Sequence, residues 1–330
     1  MRRSSVFTRS SLHQPTTVGF LLIPGFALMS YAAAVEPLRA ANLLAGRELY
    51  RWWHAAPGGG PVAASNGVSV VADFAPGEAG DADLVFVCAG GNPATFDDRD
   101  TLAWLRRLAR RGVALGGISG GPYLLARAGL LDGRRATLHW EHAAGFHEAF
   151  PSVEVVPALF VLDGDRNTCS GGVSALDMMV ALIGRDHGRD LGAAVGEWFL
   201  LTHIREGMGP QRMDLRHRLG VTEESLLAVL RAMEANIETP LPRARLAEIA
   251  GLSLRQLERL FQARLGRSIH AHYLALRLDW ARQLLRETSL PALEVALATG
   301  FASASQFARA FARAHGRPPS RYRKTVGAGG

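Results

Sequence analysis

The chain has 330 residues, which is enough for about two domains, and its 48% hydrophobic and 20% charged residues are typical of a globular protein and exclude an intrinsically disordered one. Only two cysteines are present, so a disulfide framework is excluded and a reducing compartment fits. The net charge of +7 is uneven, because residues 226–330 hold sixteen Arg or Lys and seven Asp or Glu, and such a basic third predicts a polyanionic partner.

The N-terminus carries a basic stretch, residues 1–15, which we predict to be disordered, followed by an apolar run over residues 18–35. A basic stretch before an apolar run is also the pattern of a secretory signal. Pro24–Gly25 interrupts the run, however, and the polar sequence HQPTT precedes it. We therefore favour a buried strand over residues 18–23 and a helix over about residues 27–44. This interpretation predicts a cytoplasmic protein with no membrane partner.

Strands and helices alternate through the first 205 residues. The predicted strands are residues 50–55, 67–74, 81–91 and 113–115, with further strands within 151–172. The predicted helices are residues 98–111, 173–185 and 189–203. Such alternation predicts an α/β fold with a mostly parallel, doubly wound sheet covered by helices on both faces. The polar residues 206–224 lack periodicity and are predicted to be a linker.

From residue 225 to residue 326 the pattern is purely helical, and it repeats. The segments 246–266 and 295–316 align through the pairs Ala247/Ala296, Gly251/Gly300, Leu257/Phe307, Arg259/Arg309, Phe261/Phe311 and Gly266/Gly316. In each copy a small residue and a glycine four positions later end a short helix in a tight turn, and a second helix follows. The repeat predicts an all-α domain of two helix-turn-helix modules, joined by a helix over residues 271–286. A generic helical bundle is the alternative, which the registered pairs disfavour.

The duplicated unit, with the sequence GRPPSRYRK at 316–324, closely resembles the DNA-binding domain of the AraC/XylS transcriptional regulators. The resemblance implies a sequence-specific regulator that binds double-stranded DNA. Activation of a catabolic operon would make RNA polymerase a further partner, and a homodimer is compatible with the sequence.

The second helix of each module carries the candidate DNA contacts. In the first module Ser253 is placed as the N-cap, and Arg255, Glu258 and Arg259 lie on the predicted exposed face. In the second module the resemblance implies Ser303, Ala304, Ser305 and Arg309 as the base-side positions. Arg313, Arg321 and Arg323 are predicted to contact phosphates.

Gly117-Ile118-Ser119-Gly120-Gly121 matches the G-x-S-x-G nucleophile elbow of serine hydrolases. The first 205 residues resemble the PfpI-like, class I glutamine amidotransferase-like fold, which is flavodoxin-like, through FLLIPGF (20–26), AVEPLRAAN (34–42), VFVCAGG (85–91) and the segment 116–141. In the enzymes of that family a cysteine, usually followed by histidine, occupies the elbow.

Here Ser119 and Gly120 occupy those two positions, and a serine hydroxyl is a weak nucleophile without a base. We therefore predict no catalytic residue, cofactor or metal. The alternative is a hydrolase or amidotransferase-like enzyme with a DNA-binding tail. The sequence leaves its base open among His139, His142, His147, His187 and His203.

The same turn predicts a binding site. The resemblance places the elbow at the carboxyl ends of parallel strands, where backbone N–H groups favour anions. Trp140 and Glu141 offer an aromatic face and a carboxylate, which suit a cationic nitrogen, and Trp52 and Trp53 are either further aromatic candidates or core residues. The predicted effector site consists of Glu36, Gly90, Gly91, Ser119, Gly120, Trp140 and Glu141. The resemblance implies a small nitrogenous effector such as a betaine, carnitine or a basic amino acid.

Overall fold

The structure, a computed structural model, describes residues 14–78, 80–288 and 290–326. Residues 1–13, and with them nearly all of the N-terminal stretch predicted to be disordered, lie outside the described residues. The chain divides into two compact units, Met1–Gln211 and Arg212–Gly330. The division falls inside the range predicted as a linker, which also contains the short helix α7 (Leu215–Leu219).

The first unit is built around one sheet. Its strands are β1 (Thr16–Leu22), β2 (Tyr50–Ala55), β3 (Gly60–Ala63), β4 (Ser69–Ala72), β5 (Leu84–Ala89), β6 (Ala114–Ser119), β7 (Arg135–Ala136), β8 (Glu154–Val155), β9 (Phe160–Asp163) and β10 (Arg166–Cys169). The main sheet has the order β2-β1-β5-β6-β10-β9, with parallel neighbours throughout except for the antiparallel β9. This order confirms the predicted doubly wound, flavodoxin-like sheet.

Helices cover both faces of this sheet because successive strand residues point to opposite sides. The helices are α1 (Leu28–Ala45), α2 (Arg99–Arg110), α3 (Gly121–Arg127), α4 (Ala143–Ala149), α5 (Ser174–His187) and α6 (Arg189–Trp198). Phe20 and Phe86 pack with α1, α5 and α6 on one face, whereas Leu21 and Val87 pack with α2 and α3 on the other. All four side chains are fully buried, so each strand stabilises two separate cores.

Two predicted elements differ from the structure. The alternating run 67–74 forms β4 in a two-stranded antiparallel ribbon with β3, outside the main sheet. The helix predicted over 189–203 ends at Trp198, and Leu200 then takes a positive φ of 58°. No helix among the described residues is long and apolar enough to span a membrane.

The second unit is entirely helical in its described part. After α7 come α8 (Glu224–Ala235), α9 (Arg243–Ala250), α10 (Leu254–Leu265), α11 (Ile269–Glu287), α12 (Ala292–Ala298), α13 (Ala304–His315) and α14 (Pro319–Val326). The pairs α9–α10 and α12–α13 are the two predicted helix-turn-helix modules. Glycines in the left-handed region, Gly251 with φ 64° and Gly300 with φ 74°, make the turns. Only glycine enters this region without strain, which is why the repeat keeps it.

Candidate functional site

The elbow lies at the carboxyl end of β6, beside β5. Ser119 has a positive φ of 61°, and its side chain is buried. Gly120 donates its N–H to the Ala89 carbonyl at 3.0 Å, and a Cβ on Gly121 would lie 1.9 Å from the Val87 carbonyl oxygen. The two glycines therefore allow the turn to approach β5 closely. A non-glycine residue held at positive φ costs about 1–3 kcal/mol, and such strain concentrates at functional sites.

Three segments of the chain meet at Ser119. A Cβ on Gly171, in the loop after β10, would lie 2.6 Å from the Ser119 Cβ. The next residue, Gly172, donates its N–H to the Ser30 hydroxyl at 2.6 Å, and Ser30 is buried in the first turn of α1. From a third direction, the His139 N–H reaches the Ser119 carbonyl at 3.4 Å. The elbow is thus enclosed by α1, the loop after β10 and the segment after β7.

His139, whose backbone N–H reaches Ser119, also carries a titratable imidazole. Burial, followed by the neighbouring His142, lowers the pKa of His139, whereas Glu141, whose Oε2 lies 3.7 Å from His139 Nδ1, raises it. The net lowering favours a neutral ring. Within the part of the chain that the structure describes, no side chain forms a hydrogen bond with Ser119 Oγ. The elbow therefore presents a hydroxyl group without a bonded general base.

The other candidate bases lie elsewhere. His187 packs edge-on against Tyr50 with ring centroids 5.2 Å apart, at the carboxyl end of α5. His203 contacts the Thr202 hydroxyl at 3.4 Å on the surface, and His147 is exposed on α4. Only His139 and the buried His142 share the segment that reaches Ser119.

Cys169 lies directly beneath the elbow and does not replace the missing nucleophile. Its sulfur accepts hydrogen bonds from the backbone N–H groups of Gly171 and Ser119, and these bonds lower the pKa of the thiol. Complete burial has the larger effect and raises the pKa of Cys169 to about 12. The thiol therefore stays protonated and unreactive at neutral pH.

The structure does not bring Glu36 to the elbow. Its carboxylate bonds Arg39 Nε at 2.7 Å on the exposed side of α1. Ser30 is the α1 residue that reaches the elbow loop, and Glu36 follows it by six residues, or about 9 Å along the helix and on a different face. Glu36, which we predicted in the effector site, therefore lies away from the elbow, and the sequence did not point to Ser30.

The remaining predicted effector residues divide into two groups. Gly90 is packed, since a Cβ there would lie 2.7 Å from the Gly25 carbonyl oxygen, whereas a Cβ on Gly91 would meet nothing within 4 Å. Trp140 and Glu141 lie half-exposed in a 3-10 helix, Trp140–His142, directly after His139. Gly91, Trp140 and Glu141 therefore lie on accessible surface, in the segments that follow Ala89 and His139, which bond the Ser119 turn through their backbones.

Trp53, by contrast, is a core residue. Its indole covers the glycine at position 19 of β1 and donates to the Asp81 carbonyl at 3.2 Å. Its ring also packs near Trp104, with centroids 6.3 Å apart. The core alternative is therefore correct for Trp53.

The first helix-turn-helix module presents arginines from a capped helix. Ser253 caps α10, and its side chain forms a capping box with Gln256. Leu257 and Phe261 are fully buried, so Arg255 and Arg259 project on the opposite, exposed face. Capping and burial together hold these two side chains in a fixed direction.

Glu258 does not project with them. Its carboxylate accepts the Ile269 N–H at 3.3 Å, at the start of α11, and lies 3.6 Å from Arg243 Nη1. Glu258, which we predicted to contact DNA, therefore joins α10 to the following helix. The reason is geometric, because Glu258 follows the buried Leu257 and points sideways along the helix surface.

The second module repeats this arrangement. Ser303 caps α13 through the Gln306 N–H at 3.3 Å, and Phe307 and Phe311 are fully buried. The predicted contacts Ser305, Arg309, Arg313 and Arg321 are exposed, whereas Ala304 is half-buried. Gln306, which matches Gln256 in the repeat, is exposed too and was not among the predicted contacts.

The Arg323 side chain holds two helices of the second unit together. It donates from Nη2 to the Leu290 carbonyl at 2.5 Å, which ties α14 to the turn before α12. We therefore replace the predicted phosphate contact at this position with a structural one.

The architecture is that of a DNA-binding regulator, in which paired helix-turn-helix modules follow a doubly wound domain. Residues 16–185 match the DJ-1/PfpI family and residues 246–325 match a helix-turn-helix domain family. The HTH-type transcriptional regulator GlxA of Rhizobium meliloti (strain 1021) is 48% identical over 311 residues, which are 94% of this chain and 96% of that protein. The HTH-type transcriptional regulator CdhR of Pseudomonas aeruginosa is 46% identical, over 93% of this chain and 91% of that protein.

A solved structure agrees for the part that it covers. The AraC family transcriptional regulator from Pseudomonas putida is 31% identical, with a TM-score of 0.51, and covers 56% of this chain and 100% of its own. The chain belongs to the HTH-type transcriptional regulators that join a DJ-1/PfpI domain to an AraC-type helix-turn-helix domain. This membership confirms the predicted DNA-binding regulator and favours it over the enzyme alternative.

Proposed function

We propose that this regulator is controlled by a small zwitterion with a cationic nitrogen, which binds at the elbow. The observation that carries the proposal is the accessible pair Trp140 and Glu141, joined through His139 to the Ser119 turn. A quaternary ammonium group donates no hydrogen bond, so it needs an aromatic face and a carboxylate. A Trp face contributes about 0.5–2 kcal/mol to such binding.

The ligand's own carboxylate is assigned to the loop after β5. Gly91 offers open space there at a positive φ of 60°. Gly120 was predicted to belong to the effector site, but its N–H already donates to the Ala89 carbonyl and is not assigned to the ligand. Carboxyl ends of parallel strands are the usual position of ligands in doubly wound folds, which supports this placement.

Calorimetric titration against glycine betaine, carnitine, arginine and choline tests the ligand class. We expect one of the three zwitterionic or amino-acid ligands to bind, and choline, which has no carboxylate, to bind more weakly. Trp140→Leu and Glu141→Gln should weaken binding, while Trp198→Leu, an exposed tryptophan on α6, serves as the matched control. Binding of only an uncharged or purely anionic metabolite would reject the ligand class.

We infer further that the elbow binds and does not catalyse. Support comes from the hydroxyl without a hydrogen-bonded base and from the raised pKa of Cys169. A serine nucleophile requires a base that accepts its proton. Substitution of Ser119 by alanine tests this inference.

On the DNA side, we propose that Arg255, Arg259, Ser305, Gln306 and Arg309 read base edges in successive major grooves. Support comes from their exposure on capped helices whose opposite faces are buried. Arg313 and Arg321 are proposed phosphate contacts. Selection of an operator from a random duplex pool, followed by base-by-base substitution, tests this assignment.

We also propose that the protein acts in the cytoplasm and activates a catabolic operon through RNA polymerase. In vitro transcription from the selected operator, with and without ligand, tests activation directly, and a ligand-dependent decrease would indicate repression. Light scattering of the full chain, alone and on DNA, tests the proposed homodimer.

A further inference from the structure

The last residues of the first unit, 205–211, cross its surface without regular secondary structure and are held at three points. We call this segment the strap. Arg205 bonds Asp177 through Nε at 3.3 Å and Nη2 at 2.5 Å. The Gly207 carbonyl accepts the Leu159 N–H at 2.7 Å.

The third point is the Gln211 side chain. Its Nε2 donates to the Ala158 carbonyl at 2.7 Å, the Leu138 carbonyl at 3.0 Å and the Thr137 hydroxyl at 3.1 Å. The second compact unit begins at the next residue, Arg212. The strap is therefore the stretch through which the first unit continues into the DNA-binding unit.

Both ends of the strap are fastened to segments that enclose the elbow. Leu138, which binds Gln211, directly precedes His139, whose N–H reaches the Ser119 carbonyl. The Arg205 partner, Asp177, lies in the first turn of α5, which follows the Gly171 loop beside Ser119. A shift of either segment at the elbow therefore changes the position of a strap anchor.

The anchors are strong enough to make the strap move with the segments that enclose the elbow. Asp177 is completely buried, and among the described side chains only Arg205 pairs with its carboxylate. Separation of this pair would leave an uncompensated buried charge, which is strongly unfavourable. Within the same unit, Ser174 ties the start of α5 to the elbow loop, because its hydroxyl donates to the Gly171 carbonyl at 2.6 Å.

We propose that the strap transmits the state of the elbow to the DNA-binding unit, with Arg205 and Gln211 as positioning residues. The inference rests on the proposed function only in that the elbow is taken as the effector site. Ligand binding against the segment after β7 displaces the Gln211 anchor relative to the Arg205 anchor on α5. The strap responds, and the affinity for DNA changes.

A double-mutant cycle in the full chain tests the strap without any ligand. Two changes perturb the elbow. Gly171→Ala introduces a methyl group 2.6 Å from the Ser119 Cβ, and the milder Ser30→Ala removes the acceptor of the Gly172 N–H. Each is combined with Gln211→Ala, or with the paired change Asp177→Asn and Arg205→Gln, which avoids an uncompensated charge. The matched control is Arg111→Ala, which removes an exposed ion pair with Asp81 in the same unit.

The measurement is the dissociation constant for an operator selected by the full chain, at fixed salt, for variants with native-like thermal melts. With the native strap or in the control background, the elbow changes should shift this constant about five-fold or more, the usual lower range of allosteric coupling. In either strap background the shift should fall to about two-fold or less. Equal shifts in the strap and control backgrounds, or no shift with the native strap, would overturn the proposal.

The ligand titrations supply a separate result. If none of glycine betaine, carnitine, arginine or choline binds, the proposed ligand class fails, whereas the cycle can still be interpreted because it contains no ligand. If a ligand binds, its affinity ratio with and without DNA should also approach one in the strap variants, since coupling between two sites is reciprocal.

Discussion

At the scale of single residues, the hydroxyl of Ser119 decides between binding and catalysis. Ser119→Ala should leave any hydrolytic background unchanged, because no described side chain accepts a hydrogen bond from Ser119 Oγ and the Cys169 thiol beneath it is protonated. Esterase assays and labelling with a fluorophosphonate probe are the measurements. A covalent adduct on Ser119 in the native chain would contradict the inference. The ligand response, in contrast, should weaken in the variant.

The prediction for DNA binding at this scale concerns two arginines on the exposed faces of α10 and α13. Arg259→Ala and Arg309→Ala should each weaken the free energy of binding to the selected operator by about 1–3 kcal/mol. Each should also relax the base preference at one position of that operator. Arg313→Ala should weaken binding to all DNA sequences alike. It should also reduce the slope of the logarithm of the binding constant against the logarithm of salt concentration by about one.

Arg264 is the matched control for these substitutions. It lies on the same helix as Arg259 but pairs with Glu223 on the neighbouring surface. Fluorescence anisotropy over a salt series measures all four variants. A loss of base preference in Arg264→Ala as large as that in Arg259→Ala would contradict the assigned reading face.

At the scale of elements, the link between α10 and α11 depends on a carboxylate rather than on packing alone. Glu258→Gln should reduce the free energy of unfolding of the second unit by about 1 kcal/mol, the difference between a charge-assisted and a neutral hydrogen bond, because the Ile269 N–H and Arg243 lose a charged partner. Base preference should stay unchanged, since Glu258 does not project with Arg255 and Arg259.

Thermal melts and operator selection measure the two effects. Glu248→Gln on α9 removes a comparable but exposed pair with Arg245, so it should alter stability very little. A changed base preference in Glu258→Gln with unaltered stability would restore the original prediction of a DNA contact.

Elements were more predictable from the sequence than contacts between them. Periodicity located β1, β5 and the repeated helices, because burial imposes a period on each strand and helix by itself. The contact between Ser30 and Gly172 joins residues 142 positions apart, and no local pattern encodes it. For the same reason Glu258 is expected to be exposed on an isolated helix, and its hydrogen bond with the Ile269 N–H requires the start of α11 to be in place.

At the scale of the whole molecule, charge is divided between the units. The excess of basic residues lies in the C-terminal third, where the family membership and the exposed arginines of α10 and α13 place DNA binding. Acidic and basic residues nearly balance in the remainder. DNA affinity should therefore depend steeply on salt, whereas ligand binding in the first unit should depend on it weakly.

Stability should fall on mild acidification, because four buried or half-buried histidines are held neutral. Burial lowers the pKa of His54, His139, His187 and His272 in the folded chain. In the unfolded chain these rings titrate near the ordinary value of about 6.5, so the unfolded state binds more protons below that pH. The contribution of these neutral rings to the stability of the folded chain is complete above about pH 6.5. It is lost as the pH falls toward their lowered pKa values in the folded chain. Three of the four belong to the first unit, which should therefore lose more stability than the second.

Calorimetric scans between about pH 7.5 and about pH 5.5 measure this dependence, in a window above the titration of ordinary carboxylates. His54→Gln should flatten part of it, since the amide can still bond the Tyr31 hydroxyl that His54 Nε2 contacts at 2.8 Å but takes up no proton. His217→Gln, at an exposed histidine of α7, is the control and should keep the native slope. A melting temperature that stays constant across this range in the native chain would refute the prediction, as would a native slope in His54→Gln.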